Sequence, residues 1–243
     1  MATAPAPTTS RELYQDVLTN YLVSMTRTVE ASVHRALAAI LAGRTPEAAQ
    51  APGEIFMLEP RINEMEMIID DHAVRLLRGG NLTEEDIRQT VATLKITNDL
   101  ERMGDLAVNV AERAISLSTM GDFETPAELE PMTAAVRAMV TKCLGALIYQ
   151  NVDLAAQVLE SDDVVDQYRD RVFEALLSGI ADNSSVAAPS LQFVLASRHL
   201  ERIADHATNI AEDVLFWVRG LEVRHVRARQ LEARAEKAAV ATQ

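Results

Sequence analysis

A phrase that occurs twice decides the fold: LERMGDLAVNVAE at Leu100–Glu112 and LERIADHATNIAE at Leu200–Glu212. Between residues 98–115 and 198–215, eight of eighteen residues are identical. A weaker echo pairs EPRINEM, which begins at Glu59, with DDVVDQY, which begins at Asp162. The repetition indicates two units related by internal duplication.

The composition favours helices and excludes several classes of protein. Hydrophobic residues make up 48% of the 243 residues, while aromatic residues make up only 4% and Gly and Pro are few, which argues against a sandwich or barrel. A net charge of −13 argues against a general nucleic-acid binder. The single cysteine, Cys143, permits no internal disulfide. With no signal-peptide pattern and no long uninterrupted apolar run, we expect a soluble cytoplasmic protein.

The spacing of apolar residues and of helix-breaking residues predicts six helices in two tandem antiparallel three-helix bundles. Thr83 and Asp86 resemble a capping box at the start of the third helix. Pro46, Pro52 and Pro60 predict a second helix that is broken or starts late, because an internal proline costs about 3 kcal/mol. The predicted organisation is a disordered segment at 1–9, a first bundle at 10–120, a linker at 121–131, a second bundle at 132–220 and a basic extension at 221–243.

Acidic residues form a stripe along the helix that carries each phrase. At about 100° per residue, Asp105, Asn109 and Glu112 all lie within about 80° of Glu101, and the core residues lie on the opposite side. The second phrase repeats this stripe with Glu201, Asp205, Asn209 and Glu212. The helix before each phrase adds a further stripe, comprising Glu59, Asn63, Glu66 and Asp70 in the first half and Asp162, Asp166 and Asp170 in the second.

Two interpretations of these stripes are open. Stripes on neighbouring helices that approach each other would form a ladder of carboxylate oxygens, which suits hard cations. Alternatively, the acids are solvated, and Arg102 or Arg202 neutralises them in weak local ion pairs. His206 is a further candidate ligand, although Leu106 stands at its position in the first phrase, which favours a structural histidine.

The segments LKITNDLERMGDLAVNVAE and LASRHLERIADHATNIAE resemble the paired signatures of the PhoU family, regulators associated with bacterial phosphate uptake. The resemblance covers residues 10–220 and implies an all-α fold of two tandem three-helix bundles. It also implies metal ions such as iron, manganese, zinc or magnesium on the acidic phrases. Carried onto this chain, the implied metal ligands are Glu101, Asp105, Glu201, Asp205, Asp162, Asp166, Glu66 and Asp70.

The resemblance further implies a non-enzymatic cytoplasmic adaptor. Its partners would be the nucleotide-binding subunit of a phosphate ABC transporter and a phosphate-sensing histidine kinase. Nucleic acid is not expected as a partner, membrane contact would be peripheral and through those partners, and a homodimer is among the expected assemblies. The chain departs from the family pattern at Asn63, which is the first-half counterpart of Asp166. Asparagine supplies an oxygen ligand there but no negative charge.

Two other functions remain open from the residues alone. The acidic ladders would suit a multinuclear-metal phosphohydrolase, although the sequence shows no Arg, Lys or His set placed to hold a phosphate. A plain helical scaffold whose acids bind nothing is the other alternative. The remaining polar residues of the stripes are possible outer or additional ligands: Asn109, Glu112, Asn209, Glu212, Glu59, Asn63 and Asp170.

Overall fold

The chain forms six long α-helices in a computed structural model that describes residues 10–43, 46–80, 82–121 and 123–220. The helices are α1 (Ser10–Ala42), α2 (Pro46–Gly79), α3 (Glu84–Ser118), α4 (Leu129–Tyr149), α5 (Val152–Asp182) and α6 (Ala187–Arg219), with a short 3₁₀ turn at Ser184–Val186. These ranges contain no β-strand, so the all-α prediction is confirmed. The predicted disordered segment at 1–9 and the basic extension at 221–243 lie outside the described residues.

Local chemistry sets several of the helix ends. The Thr83 side chain accepts from the backbone N–H of Asp86, and the Asp86 carboxylate accepts from the backbone N–H of Thr83, so the predicted capping box is present. Gly43, Gly80 and Gly220 follow α1, α2 and α6 with φ of 60°, 69° and 67°. Glycine adopts this left-handed conformation without a steric penalty, which is why the chain leaves its helices there.

The helices pack as two three-helix bundles, α1–α3 and α4–α6, with α3 against α6 between them and α1 also touching α4. The apolar sides of the two phrases are buried in equivalent ways, because Leu100 and Met103 in α3 and Leu200 and Ile203 in α6 are all fully buried. The acidic sides of the same helices are therefore held at the edge of the core. This arrangement confirms the predicted tandem bundles.

The prediction of a broken or late second helix was wrong. Helix α2 runs without interruption from Pro46 to Gly79, with Pro52 and Pro60 inside it. Pro46 occupies the first helical position, where the missing N–H has no helical partner to lose. The two internal prolines each forfeit one hydrogen bond, but the burial of Ile55, Ile62 and Ile69 against the bundle holds the helix together. Tertiary packing therefore overrides local propensity here.

Helix α4 is long and apolar enough, by length and composition alone, to cross a membrane, and half of its most apolar window is buried inside the structure. Its buried residues include Met132, Val136, Val140 and Leu144, which recur every four residues. That spacing places them on one face of α4, and α4 packs against α5 and α6. Helix α4 is thus explained as a core helix of its bundle.

Candidate functional site

The acidic stripes of α2 and α3 meet in the first bundle. We call Glu66, Asp70, Glu101 and Asp105 the first acidic cluster. Burial raises the pKa of the Glu101 carboxyl, and Asp105 and Glu66 raise it further, while Arg102 opposes the shift. Burial also raises the pKa of Glu66, with added contributions from Asp70 and Asp105, while Arg102 again opposes the shift. Because these carboxylates on two helices sense each other, the fold has gathered negative charge at the edge of the core.

The stripes of α5 and α6 meet in the same way in the second bundle. We call Asp162, Asp166, Asp170, Glu201 and Asp205 the second acidic cluster. Burial, followed by Glu201, Asp162 and Asp166, raises the pKa of Asp205 from 3.8 to about 6. Thr208 donates a hydrogen bond of 3.1 Å to the Asp162 carboxylate. The α5 acids thus lie beside the phrase on α6.

Arg169 of α5 lies within the second acidic cluster. Its Nη1 donates to Glu201 Oε1 at 2.6 Å and lies 3.6 Å from Asp166 Oδ1, and its Nη2 lies 2.8 Å from Asp170 Oδ1. The guanidinium therefore joins α5 to α6. Sequence reasoning missed Arg169, although its position three residues after Asp166 was a usable signal, since residues three apart share a helix face.

The first acidic cluster has a different arginine. Arg102 of α3 lies 3.3 Å from Glu101 Oε2 and 3.8 Å from Asp105 Oδ2, and its side chain is 53% exposed. These contacts are the local ion pairs that the solvated-acid interpretation expects. Pairs at this exposure contribute about 0–1 kcal/mol, so they offset the carboxylate repulsion only in part.

Several of the outer candidate ligands have other partners. In the first bundle, Asn63 Nδ2 donates to Glu59, and Glu112 pairs with Arg113 at 3.1 Å. In the second bundle, Asn209 Nδ2 donates to Asp99 of α3 at 3.2 Å, and Glu212 is buried. Asn109 is half-buried on α3. The structure thus draws Asn209 and Glu112 into contacts outside the two clusters.

His206 has a structural position between the bundles. Its Nδ1 lies 2.7 Å from Oδ1 of Asp99, and the side chains are 17% and 10% exposed. Asp99 therefore accepts from both His206 and Asn209 of α6, which ties α3 to α6. This contact agrees with the structural interpretation of His206 and was not visible in the sequence, because Asp99 and His206 are 107 residues apart.

The donor sets suit a cation, but the side chains are not in a ligating arrangement. Within the ranges that the structure describes, no three Asp, Glu, His or Cys side chains converge closely enough to hold a metal ion. The residue types are nevertheless those that hard cations prefer. In the second acidic cluster the positive group held among the carboxylates is the Arg169 guanidinium.

A separate cleft of about 590 Å³ lies between residues 123–128 and the facing parts of α5 and α6. Phe123, Leu176, Pro189 and Phe193 are among its described lining residues, which include two glutamates but no Lys, Arg or His. A phosphate-ester site needs positive groups to hold the anion. This part of the described structure therefore offers no support for the phosphohydrolase alternative.

The pKa of Asp205 predicts how stability depends on pH. A carboxyl whose pKa is higher in the folded than in the unfolded state stabilises the fold at pH values below its unfolded-state pKa. This stabilisation is lost as the pH rises through the folded-state pKa. With pKa values of 3.8 and about 6, the loss falls between about pH 4 and 7. In EDTA, we expect Asp205→Asn to flatten the fall in Tm between pH 5 and 7.5. The exposed neighbour variant Asp163→Asn should keep the wild-type slope; an equal slope in the Asp205 variant would contradict the assignment.

Comparison with known proteins places these features in a family. The PhoU domain family matches residues 22–114 and 129–214. The chain is 33% identical over 225 residues to a phosphate-specific transport system accessory protein PhoU homolog of Pseudomonas putida, covering 91% of this chain and 86% of the relative. It is also 33% identical to the Pseudomonas aeruginosa homolog, covering 89% of this chain and 88% of the relative.

Solved structures agree with this result. The crystal structure of PhoU from Pseudomonas aeruginosa matches with a TM-score of 0.81 and 31% identity, over 86% of this chain and 99% of that chain. The phosphate transport system regulatory protein PhoU from Streptococcus pneumoniae matches with a TM-score of 0.78 over 88% of this chain and 99% of that chain; at 22% identity it supports the fold alone.

Proposed function

The chain belongs to the PhoU family, and from that premise we propose that it restrains phosphate uptake and phosphate-starvation signalling. It acts in the cytoplasm as an adaptor between the nucleotide-binding subunit of a phosphate ABC transporter and a phosphate-sensing histidine kinase. Relatives at 33% identity are named accessory proteins of the phosphate-specific transport system, which supports a non-enzymatic role in that system.

The observation that carries this proposal is the repeated acidic phrase, which the fold presents twice in the same way. In both copies the apolar side is buried, and the Glu and Asp lie beside acids of the preceding helix. Such a surface is costly unless a positive group meets it, since like charges repel. A cation or a basic partner surface would remove that repulsion, so the acidic clusters are the proposed working surfaces of the adaptor.

Carboxylate-bound cations are part of the proposal. Glu66, Asp70, Glu101 and Asp105 would hold one group of ions, with the second acidic cluster holding another. Iron, manganese, zinc or magnesium would supply positive charge that links α2 to α3 and α5 to α6. The side chains need to rotate toward a shared ion, which is open to them because Asp105 and Asp166 are 39% and 48% exposed. The chain's own contribution is to hold two helices' acids together.

Deletion of the gene in its own organism tests the regulatory role. In phosphate-replete medium, we expect a phosphate-starvation reporter to switch from repressed to fully expressed in the deletion strain, because the restraint on the kinase is lost. Reporter activity and phosphate uptake are measured together, with the wild-type gene supplied in trans as the control. An unchanged repressed reporter in the deletion strain would contradict the proposal.

The same strain tests the acidic clusters. Supplying the fourfold variant Glu101→Ala, Asp105→Ala, Glu201→Ala and Asp205→Ala should leave the reporter expressed, and elemental analysis of the purified variant should show loss of bound metal. A control variant replaces Glu160 and Glu174, two exposed acids of α5, by alanine and should behave as wild type. Full repression by the fourfold variant with unchanged metal content would place any ions elsewhere.

A further inference from the structure

The two acidic clusters differ in the positive group they contain. Arg169 is 30% exposed and extends from α5 to Glu201 on α6 while also contacting Asp166 and Asp170 of its own helix. Arg102 of the first acidic cluster is 53% exposed, and its ion pairs, at 3.3 and 3.8 Å, are with Glu101 and Asp105 of its own helix. Its charge acts on Glu66 of α2 at longer range, where it opposes the rise in the pKa of that carboxyl. The second acidic cluster is therefore bridged by an arginine that pairs with both helices, whereas among the described residues the arginine of the first forms its ion pairs within one helix.

The internal duplication shows that this difference is a reversal of charge. Glu59 pairs with Asp162, so the residues seven positions later, Glu66 and Arg169, also correspond. Where the first half places a carboxylate, the second half places a guanidinium. Glu66 adds a negative charge one helical turn before Asp70, whereas the Arg169 guanidinium pairs with Glu201, Asp166 and Asp170. The equivalent position thus supplies a carboxylate ligand, Glu66, in the first bundle and a positive group that competes with a cation, Arg169, in the second.

We propose that Arg169 is a built-in counter-cation that occupies the second acidic cluster and must leave it before a divalent cation binds there. The two clusters consequently load in order, the first before the second. This inference rests on the cation binding in the proposed function and adds the residue that makes the two sites unequal. Arg169 acts by competing for Glu201 and Asp166, which are ligands a cation would need.

The charges set the expected size of the effect. A unit charge in contact with a carboxylate changes that carboxylate's affinity for a proton by about tenfold or more. A divalent cation is repelled by the guanidinium and also needs the oxygens that Arg169 holds. Removing the guanidinium should therefore raise the affinity of the second acidic cluster by at least about tenfold, even with solvent screening.

Titration with Mn²⁺ tests the proposal on the full chain after EDTA treatment. Free Mn²⁺ is counted by electron paramagnetic resonance. In the wild type, the tighter binding should be at the first acidic cluster, and the double variant Glu101→Gln with Asp105→Asn should abolish it. Arg169→Gln should tighten Mn²⁺ binding at the second acidic cluster about tenfold or more. The double variant Glu201→Gln with Asp205→Asn should abolish that second binding. Glu66→Arg, the reverse exchange, should weaken the first acidic cluster. Circular dichroism and Tm confirm that each variant is folded.

Arg171→Gln is the matched control, because it removes the same charge two residues away. The Arg171 guanidinium lies 5.6 Å from the Tyr168 ring centroid, so it has its own packing partner. If Arg171→Gln and Arg169→Gln tighten Mn²⁺ binding equally, the competitor role of Arg169 is overturned while cation binding stands. The same holds if the two wild-type clusters bind Mn²⁺ with equal affinity and Arg169→Gln leaves that affinity unchanged. No Mn²⁺ binding in any variant would overturn both this inference and the proposed cation binding, whereas the regulatory role is judged separately by the gene deletion.

Discussion

Phe193→Ala is expected to lower the free energy of unfolding by about 3–5 kcal/mol, as large-to-small changes of a buried aromatic residue do. Phe193 of α6 is 1% exposed. Its ring meets the Phe123 ring edge-to-face, with centroids 5.6 Å apart and an interplanar angle of 71°. The truncation removes buried apolar area, leaves a cavity and breaks an aromatic pair worth about 0.5–1.5 kcal/mol beyond its area. Urea denaturation followed by circular dichroism measures the loss.

Phe173→Ala is the matched control for that change, because it deletes the same ring from an exposed site. Phe173 of α5 is 50% exposed, so its removal should cost less than half as much. Equal losses in the two variants would mean that Phe193 is not buried in solution as it is in the structure.

Most of the fold could be predicted from the sequence because its signals are local. The apolar spacing around Leu100 and Leu200 defines one helical face in each phrase, and the structure buries that face completely. Capping by Thr83 and the glycine at the end of each of three helices follow from chemistry within a few residues. The prolines of α2 misled the prediction because their cost is local, while the packing of Ile55 and Ile62 that outweighs it is not.

The site could be predicted only up to the surface of each single helix. The angular spacing places Glu101 and Asp105 on one stripe, and the family resemblance indicates that stripes on adjacent helices belong together. The position of Arg169 against Glu201, and of His206 against Asp99, depends on the register between helices. That register is fixed by packing across many residues, so no short motif reports it. The consequential differences between the two halves lie in these contacts.

His206→Leu, which places in α6 the residue that α3 has at Leu106, is expected to lower the free energy of unfolding by about 1.5–3 kcal/mol. A hydrogen bond to a charged group contributes this amount, and its loss leaves the buried Asp99 carboxylate with one donor fewer. Urea denaturation in EDTA measures the change. Leucine at the exposed neighbour position, Asn98→Leu, should change stability by less than about 0.5 kcal/mol.

A double-mutant cycle separates this contact from the general cost of each substitution. Replacing both partners by leucine removes the carboxylate together with its donor, so no buried charge is left short of a hydrogen bond. We therefore expect Asp99→Leu with His206→Leu to cost at least about 1 kcal/mol less than the sum of the single variants. Recovery should be incomplete, because Asn209 loses its acceptor in every Asp99 variant. Strictly additive losses would mean that Asp99 and His206 do not bind each other in solution.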